Sequence, residues 1–379
     1  MGYLRVLVIM HADMSIKVCH VTSVHPYSDG RIFQKECKSL SKKYEVTLIA
    51  PNVENHYGNG VHIIGVPLPT SRIRRILSLH RVYNVMEQVD ADIYHFHDPE
   101  LITIALKIKK KGKKIIFDSH EDTPMQILSK DWIPWLVKKP VSWGYSIWEA
   151  DRLKKFDALV SVTPTIVERL KRINTNTWQV TNYPIITDFA DGRKWEKSVS
   201  FAGGISEQWM HTKILEAIVM TKAKYLLAGK VESPEYLNTL KNKDGWNQVE
   251  YKGILKFGDV NMMLQQSSAG LALNDYVANV GFKKGSIGNT KLFEYMAAGI
   301  PVIATDFELW KEIIEKSDCG LCVDPHDTNA IADAISFFIS NPKEAKQKGD
   351  NGRIAVQEEY NWASQEKILY NLYDSVISM

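Results

Sequence analysis

Short runs of β-branched and aliphatic residues alternate with helical patterns along nearly the whole chain, and this alternation demands an α/β architecture built on parallel sheets. A parallel pair needs a long crossover, and the segments between the runs have the length and periodicity of helices. In the first half the pattern predicts strands over Ile16–Ser23, Val46–Ala50, Val61–Val66, Ile93–His97, Lys114–Asp118, Ala158–Val162 and Trp178–Thr181, with helices such as Ile32–Ser41 and Leu101–Lys110 between them. A second series runs through Val199–Ala202, Tyr225–Ala228, Val249–Tyr251, Ala269–Leu273, Pro301–Ala304 and Gly320–Val323. Tyr183 to Lys197 is polar and weakly periodic, and reads as a linker. The expected organisation is one domain over 1–190, a second over 198–360, and a C-terminal helix over 361–379 that, by analogy with other two-domain α/β proteins, crosses back to the first domain. Residues 1–13 read as a dispensable extension, with Met14 as an alternative start.

Charge divides along the same line. The net +3 conceals a first half (1–190) with 26 Lys+Arg against 19 Asp+Glu, and a remainder with a net charge of −4. The basic half is expected to face something anionic, a membrane surface rather than nucleic acid. Arg72, Arg74, Arg75 and Arg81 form one basic stretch. Trp132, Trp135, Trp143 and Trp148, interleaved with Lys138 and Lys139, form another suited to lipid headgroups. No apolar run approaches the roughly 18 residues of a membrane span, and Val6–Met10 is too short for a secretory signal. The expected location is cytoplasmic, peripheral on the inner face of the cell membrane. Of the four cysteines, Cys319 and Cys322 make a CxxC with no second pair, so reduced structural thiols are expected, not zinc.

In open parallel sheets, ligands bind beyond the carboxyl ends of the strands. Three predicted strands of the first domain end in polar clusters: Ser23 to Arg31, His95 to Glu100, and Asp118 to Asp122. His97, Asp29, Arg31, His120 and Glu121 are the candidates there, with His95 expected on the opposite face of its strand from His97. The spacing of His95, His97 and His120 matches no helix-borne zinc signature.

The most specific segment is Gly288-Asn289-Thr290-Lys291-Leu292-Phe293-Glu294-Tyr295-Met296-Ala297-Ala298-Gly299, followed by the strand Pro301–Ala304. Lys291 and Glu294 fall in the first turn of a helix, whose free N–H groups and positive dipole end suit a phosphate. This resembles the donor-site helix of retaining glycosyltransferases of the GT-B fold, family 4. Phe201-Ala202-Gly203-Gly204, Leu226 to Gly229 and Val249 to Gly253 are similar to successive strands of that family's second domain. Asp29, Arg31, Lys35 and Glu36, with His97 to Glu100 and Asp118 to Glu121, resemble a bacterial branch that builds surface polysaccharides.

The resemblance implies two Rossmann-like domains and transfer of a sugar from a nucleotide-sugar donor to a saccharide or lipid-linked saccharide, with retention. It implies donor binding by Gly203, Gly204, Asn289, Thr290, Lys291 and Glu294, and a sugar-holding or charge-steadying role for His97. It also implies acceptor contacts from Asp29, Arg31, His120 and Glu121. Such enzymes can stabilise the leaving diphosphate with dipoles and basic side chains, so neither metal nor cofactor is expected. Two departures stand out. Ser286 replaces the usual glutamate eight residues before Glu294, and Gly204 with Trp209-Met210-His211 replaces the usual Arg and Lys. Lys291, Lys283, Lys284 and Lys213 are the substitute cations. The alternatives are a nucleotide-sugar 2-epimerase of the same fold and a non-catalytic glycan- or lipid-binding subunit.

Overall fold

The structure is a computed structural model and describes residues 16–130, 133–186 and 196–379. The proposed extension, Met14, Trp132, and Asp191 and Gly192 of the linker lie outside the described residues.

Eight strands form the first sheet: β1 (Lys17–Val21), β2 (Glu45–Pro51), β3 (His56–Gly58), β4 (Val61–Val66), β5 (Ile93–Phe96), β6 (Lys114–Ser119), β7 (Ala158–Ser161) and β8 (Thr177–Gln179). Their order is β3-β4-β2-β1-β5-β6-β7-β8. β1 pairs in parallel with both β2 and β5, so the order reverses there and opens a crevice at their carboxyl ends. Six strands form the second sheet: β9 (Ser198–Ala202), β10 (Lys224–Ala228), β11 (Val249–Gly253), β12 (Ala269–Ala272), β13 (Val302–Thr305) and β14 (Gly320–Val323). It is parallel throughout, ordered β11-β10-β9-β12-β13-β14, with its reversal at β9. Contacts gather into two compact units, residues 16–118 with 152–159 and 378–379, and residues 119–151 with 160–377.

The predicted strands form, and one more joins them. β3 lies antiparallel to β4 across Asn59-Gly60, whose φ angles of 53° and 78° suit the tight hairpin turn that an Asn-Gly pair favours. The helix predicted over Ile32–Ser41 differs in kind. Ile32–Cys37 is a π-helix, in which Gln34 and Glu36 donate their N–H to the carbonyls of Asp29 and Arg31, and an α-helical turn follows at Lys38–Leu40. Asp29 starts it, its Oδ1 accepting from Arg31 N at 2.8 Å and Ile32 N at 2.9 Å. Within the second unit the C-terminal helix Trp362–Ile377 is tied to the end of β8 by Gln365 Oε1, which accepts from Thr181 N at 2.8 Å.

Candidate functional site

In the second unit, helix Lys291–Ala298 starts directly above the glycine turn that ends β9. Asn289 Oδ1 accepts from Lys291 N at 3.1 Å, and Thr290 donates its hydroxyl to Glu294 Oε1 at 2.7 Å. The first pair spares an otherwise unmet N–H, and the second fixes the carboxylate near the helix start. Gly299, at φ 73°, ends the helix in the left-handed conformation. On the core side the Tyr295 ring presses on β12 so closely that a Cβ on Gly270 would stand 2.5 Å from it. The first turn is therefore held by packing on the sheet as well as by its caps.

Lys291 reaches across this turn. Its Nζ stands 4.5 Å from the Trp209 ring centre and 5.0 Å from that of Phe201, a cation–π seat. Burial lowers its pKa, while Glu294 pulls the other way. A Cβ on Gly203 would stand 2.1 Å from Nζ, so a side chain there would displace the ammonium. Gly229 is more tightly bound, since its Cβ would meet the backbone carbonyl oxygen of Gly203 at 1.7 Å. Ala202, Gly203, Gly229, Lys230, Asn261 and Glu294 line a cavity of about 410 Å³. Of the four substitute cations, Lys213 is paired with Glu216 at 2.9 Å and Lys283 lies over the Tyr276 ring, whereas Lys291 stands against the glycine turn. Ser286 Oγ accepts from Gly288 N at 3.2 Å in the loop before the helix.

In the first unit the candidate side chains meet below the surface. Arg31 is buried, with Nε 2.8 Å from Asp118 Oδ2 and Nη2 3.1 Å from Glu36 Oε1. His97 has no exposed side-chain surface: Nε2 lies 2.9 Å from His20 Nδ1, and Nδ1 lies 3.6 Å from Asp118 Oδ2. His95 corrects one expectation. Positions two apart on a strand share a face, and the His95 and His97 rings stack with centres 4.8 Å apart. Burial pushes His20 and His95 well below the usual histidine range, and pushes Glu36 well above the carboxylate range against the pull of Arg31. Asp29 remains nearer the surface. Burial would raise its pKa, but His25 and the N–H groups of Ile32 and Arg31 hold it well below the usual range. His120, half-buried, and Glu121, exposed, belong to the second unit. His20 and Glu36 were not among the expected site residues. For His20 the signal is strand register, because β1 and β5 pair it directly with His95, whereas Glu36 reaches the cluster from the π-helix Ile32–Cys37.

Two switch-point sheets of this construction define the GT-B fold. The family described as "Glycosyl transferases group 1" matches residues 193–355, and that described as "Glycosyltransferase Family 4" matches residues 31–181. Together they span well over half of the chain, which belongs to the family-4-like glycosyltransferases. Among curated relatives, an MMP α-(1→4)-mannosyltransferase of Mycolicibacterium hassiacum is 27% identical over 86 residues, 22% of this chain and 21% of that protein. The chain thus matches about a fifth of that relative's length. Sucrose-phosphate synthase from Thermosynechococcus elongatus superposes with a TM-score of 0.72 at 14% identity, covering 96% of this chain and 99% of that one. HepE from Anabaena, solved with UDP and glucose, superposes with a TM-score of 0.68 at 10% identity, covering 96% and 100%.

Proposed function

We propose that the protein transfers a hexose from a nucleoside-diphosphate sugar to a saccharide or lipid-linked saccharide, with retention, at an anionic membrane surface. The observation that carries this reading is the meeting of Lys291, Glu294 and the Gly203 turn at the start of helix Lys291–Ala298, beside a cavity of about 410 Å³. The structural neighbour solved with UDP and glucose and the curated mannosyltransferase relative support a nucleotide-sugar donor.

The chemistry follows from charge. As the glycosidic bond stretches towards an oxocarbenium-like state, negative charge gathers on the departing diphosphate. The N–H groups at the helix start and the ammonium of Lys291 are oriented before that charge appears, which lowers the barrier without reorganisation. Glu294 accepts hydrogen bonds from a sugar diol and so positions the donor. The diphosphate itself takes the acceptor proton, so no protein base is required, and no metal is needed at this step.

Calorimetry with UDP, GDP and their glucose and mannose conjugates tests the reading. One nucleotide should bind, and Glu294→Ala should weaken it about ten- to a hundredfold, the loss of about 1.5–3 kcal/mol for a charge-assisted hydrogen bond. Binding of none of the four, or equal affinity in a folded Glu294→Ala variant, removes this site from the mechanism. Epimerised donor in the absence of acceptor would assign the chain to the epimerase alternative.

The membrane part of the proposal rests on two exposed stretches, each considered alone. Helix Trp135–Leu153 leaves Trp135, Leu136, Trp143 and Ile147 exposed while Ser142 and Glu149 are buried. Helix Arg72–Leu77 exposes Ile73 and Leu77 beside Arg72 and Arg74. Among the described residues no helix is long and apolar enough to cross a membrane.

A further inference from the structure

Beneath the crevice of the first sheet, three imidazoles and a carboxylate face one another with no role in the donor chemistry. They come from separate parts of the chain: His20 from β1, His95 from β5, His97 from the residue after β5, and Glu36 from the π-helix Ile32–Cys37. One ligand atom from each lies within 4.8 Å of every other. We propose that His20, Glu36, His95 and His97 form a site for a divalent first-row cation of the zinc class.

The distances fit such an ion. Ligands about 2.0–2.1 Å from a tetrahedral zinc stand roughly 3.3–3.4 Å from one another. Here His20 Nδ1 and His97 Nε2 are 2.9 Å apart, and each is 3.9 Å from Glu36 Oε2. These spacings bracket the required one, and a bound ion would take the place of the His20–His97 hydrogen bond. The donor set decides the class of ion, because imidazoles with one carboxylate suit zinc and its neighbours, while magnesium and calcium prefer oxygen alone.

The surroundings match as well. Ligating histidines commonly turn their other ring nitrogen to a carboxylate that orients them. His97 does this with Asp118, which lies 3.6 Å from Nδ1 and is itself gripped by Arg31 Nε at 2.8 Å. Glu36 is oriented likewise, with Oε1 towards Arg31 and Oε2 towards the imidazoles. Two buried carboxylates, Glu36 and Asp118, thus flank Arg31 beside the three imidazoles. The site would clamp β1 to β5 and to the π-helix at the point where strand order reverses, leaving its residues structural and removing His97 from contact with the sugar.

This inference does not depend on the transferase reading, because its test measures metal content. The full-length chain, made without a polyhistidine tag and purified without chelators, is subjected to elemental analysis before and after unfolding in guanidinium with a zinc indicator. About one zinc per chain is expected, retained during brief EDTA treatment of the folded protein and released on unfolding. Refolding with Co²⁺ alone should give the visible bands of a four-coordinate cobalt–histidine centre. His20→Gln combined with His95→Gln should reduce the metal below about a tenth of an equivalent, and Asp118→Asn should weaken cobalt binding about ten- to a hundredfold. Metal below a tenth of an equivalent in the wild type, with no cobalt bands after refolding, overturns the proposal. So does a folded double variant that binds as much as the wild type. If the double variant does not fold, the wild-type metal content and cobalt spectrum decide alone.

Discussion

Gly203 and Lys291 almost occupy the same space, and that crowding makes their roles separable by mutation. Gly203→Ala puts a methyl where the ammonium sits, at a backbone φ of 148° that side chains rarely adopt. It should displace Nζ and cost donor affinity along with stability. Lys291→Met keeps the length of the stem over Trp209 and Phe201 but removes the charge. We expect it to fold, and to lose about ten- to a hundredfold in turnover, the equivalent of a charged hydrogen bond to the diphosphate. Single-turnover transfer by a variant of wild-type melting temperature is the measurement, and an unchanged rate would show that the diphosphate is neutralised elsewhere. His211 supplies a pH test. It is buried against the Tyr225 hydroxyl at 2.9 Å, and burial, with Lys291 adding to it, lowers its pKa to about 3. The unfolded chain therefore binds a proton below about pH 6.5 that the folded chain refuses. Stability from this residue is intact above pH 6.5 and falls, by up to about 1.4 kcal/mol per pH unit, down to about pH 3. Urea unfolding at pH 7 and pH 5 should show a smaller difference for His211→Asn than for the wild type. That Lys291 and Glu294 share the first turn of a helix was legible in the sequence, because a local pattern specifies it. His20 and Glu36 were not, because their meeting depends on strand register and on a π-turn, neither of which a local pattern specifies.

Helices and strands repeat that lesson. Parallel strands such as β2 and β9 were legible because their buried runs are continuous. The three-residue β3 escaped, too short for any periodicity, although its Asn59-Gly60 turn was in view. In Ile32–Cys37 the hydrophobic pattern marks a helix but cannot distinguish an α-turn from the wider π-turn. The basic helix Arg72–Leu77 is less available than its composition implied, since Arg75 is bound to Glu100 at 2.6 Å. Arg72 and Arg74 remain, so Ser at both should remove about two increments of about 1 kcal/mol from binding to anionic vesicles at low salt. On helix Trp135–Leu153 the apolar residues dominate, and replacing Leu136 and Trp143 with Gln should weaken binding at low and high salt alike. Flotation with anionic vesicles distinguishes the two helices. Equal flotation of wild type and both variants, or none of any, would leave these faces as plain solvated surface.

For the whole molecule, the second sheet carries the proposed donor site and the first a buried ionic cluster. A ligand that binds only the folded state adds about 2.7 kcal/mol at a hundred times its dissociation constant. The matching nucleotide should therefore raise the melting temperature in scanning calorimetry, and Glu294→Ala should abolish most of that rise at the same concentration. A shift that survives in the variant would place the nucleotide away from helix Lys291–Ala298. The two-sheet plan was readable because it rests on alternation over the full length, whereas the compact units were not, because segments far apart in sequence, such as 152–159, return to the first. The glycines at the ends of β9 and β10 set different rates of change along this chain. Gly203 and Gly229 approach each other backbone to backbone, and any larger residue at either collides with atoms that have nowhere to go or with Lys291 itself. Their neighbours around the same cavity, such as Ile254 and Leu255, present side chains to its space and carry no such restriction. Divergence between related chains should accordingly accumulate on those walls, where a new shape can admit a new sugar, while the paired glycines beneath them persist as a fixed point of descent.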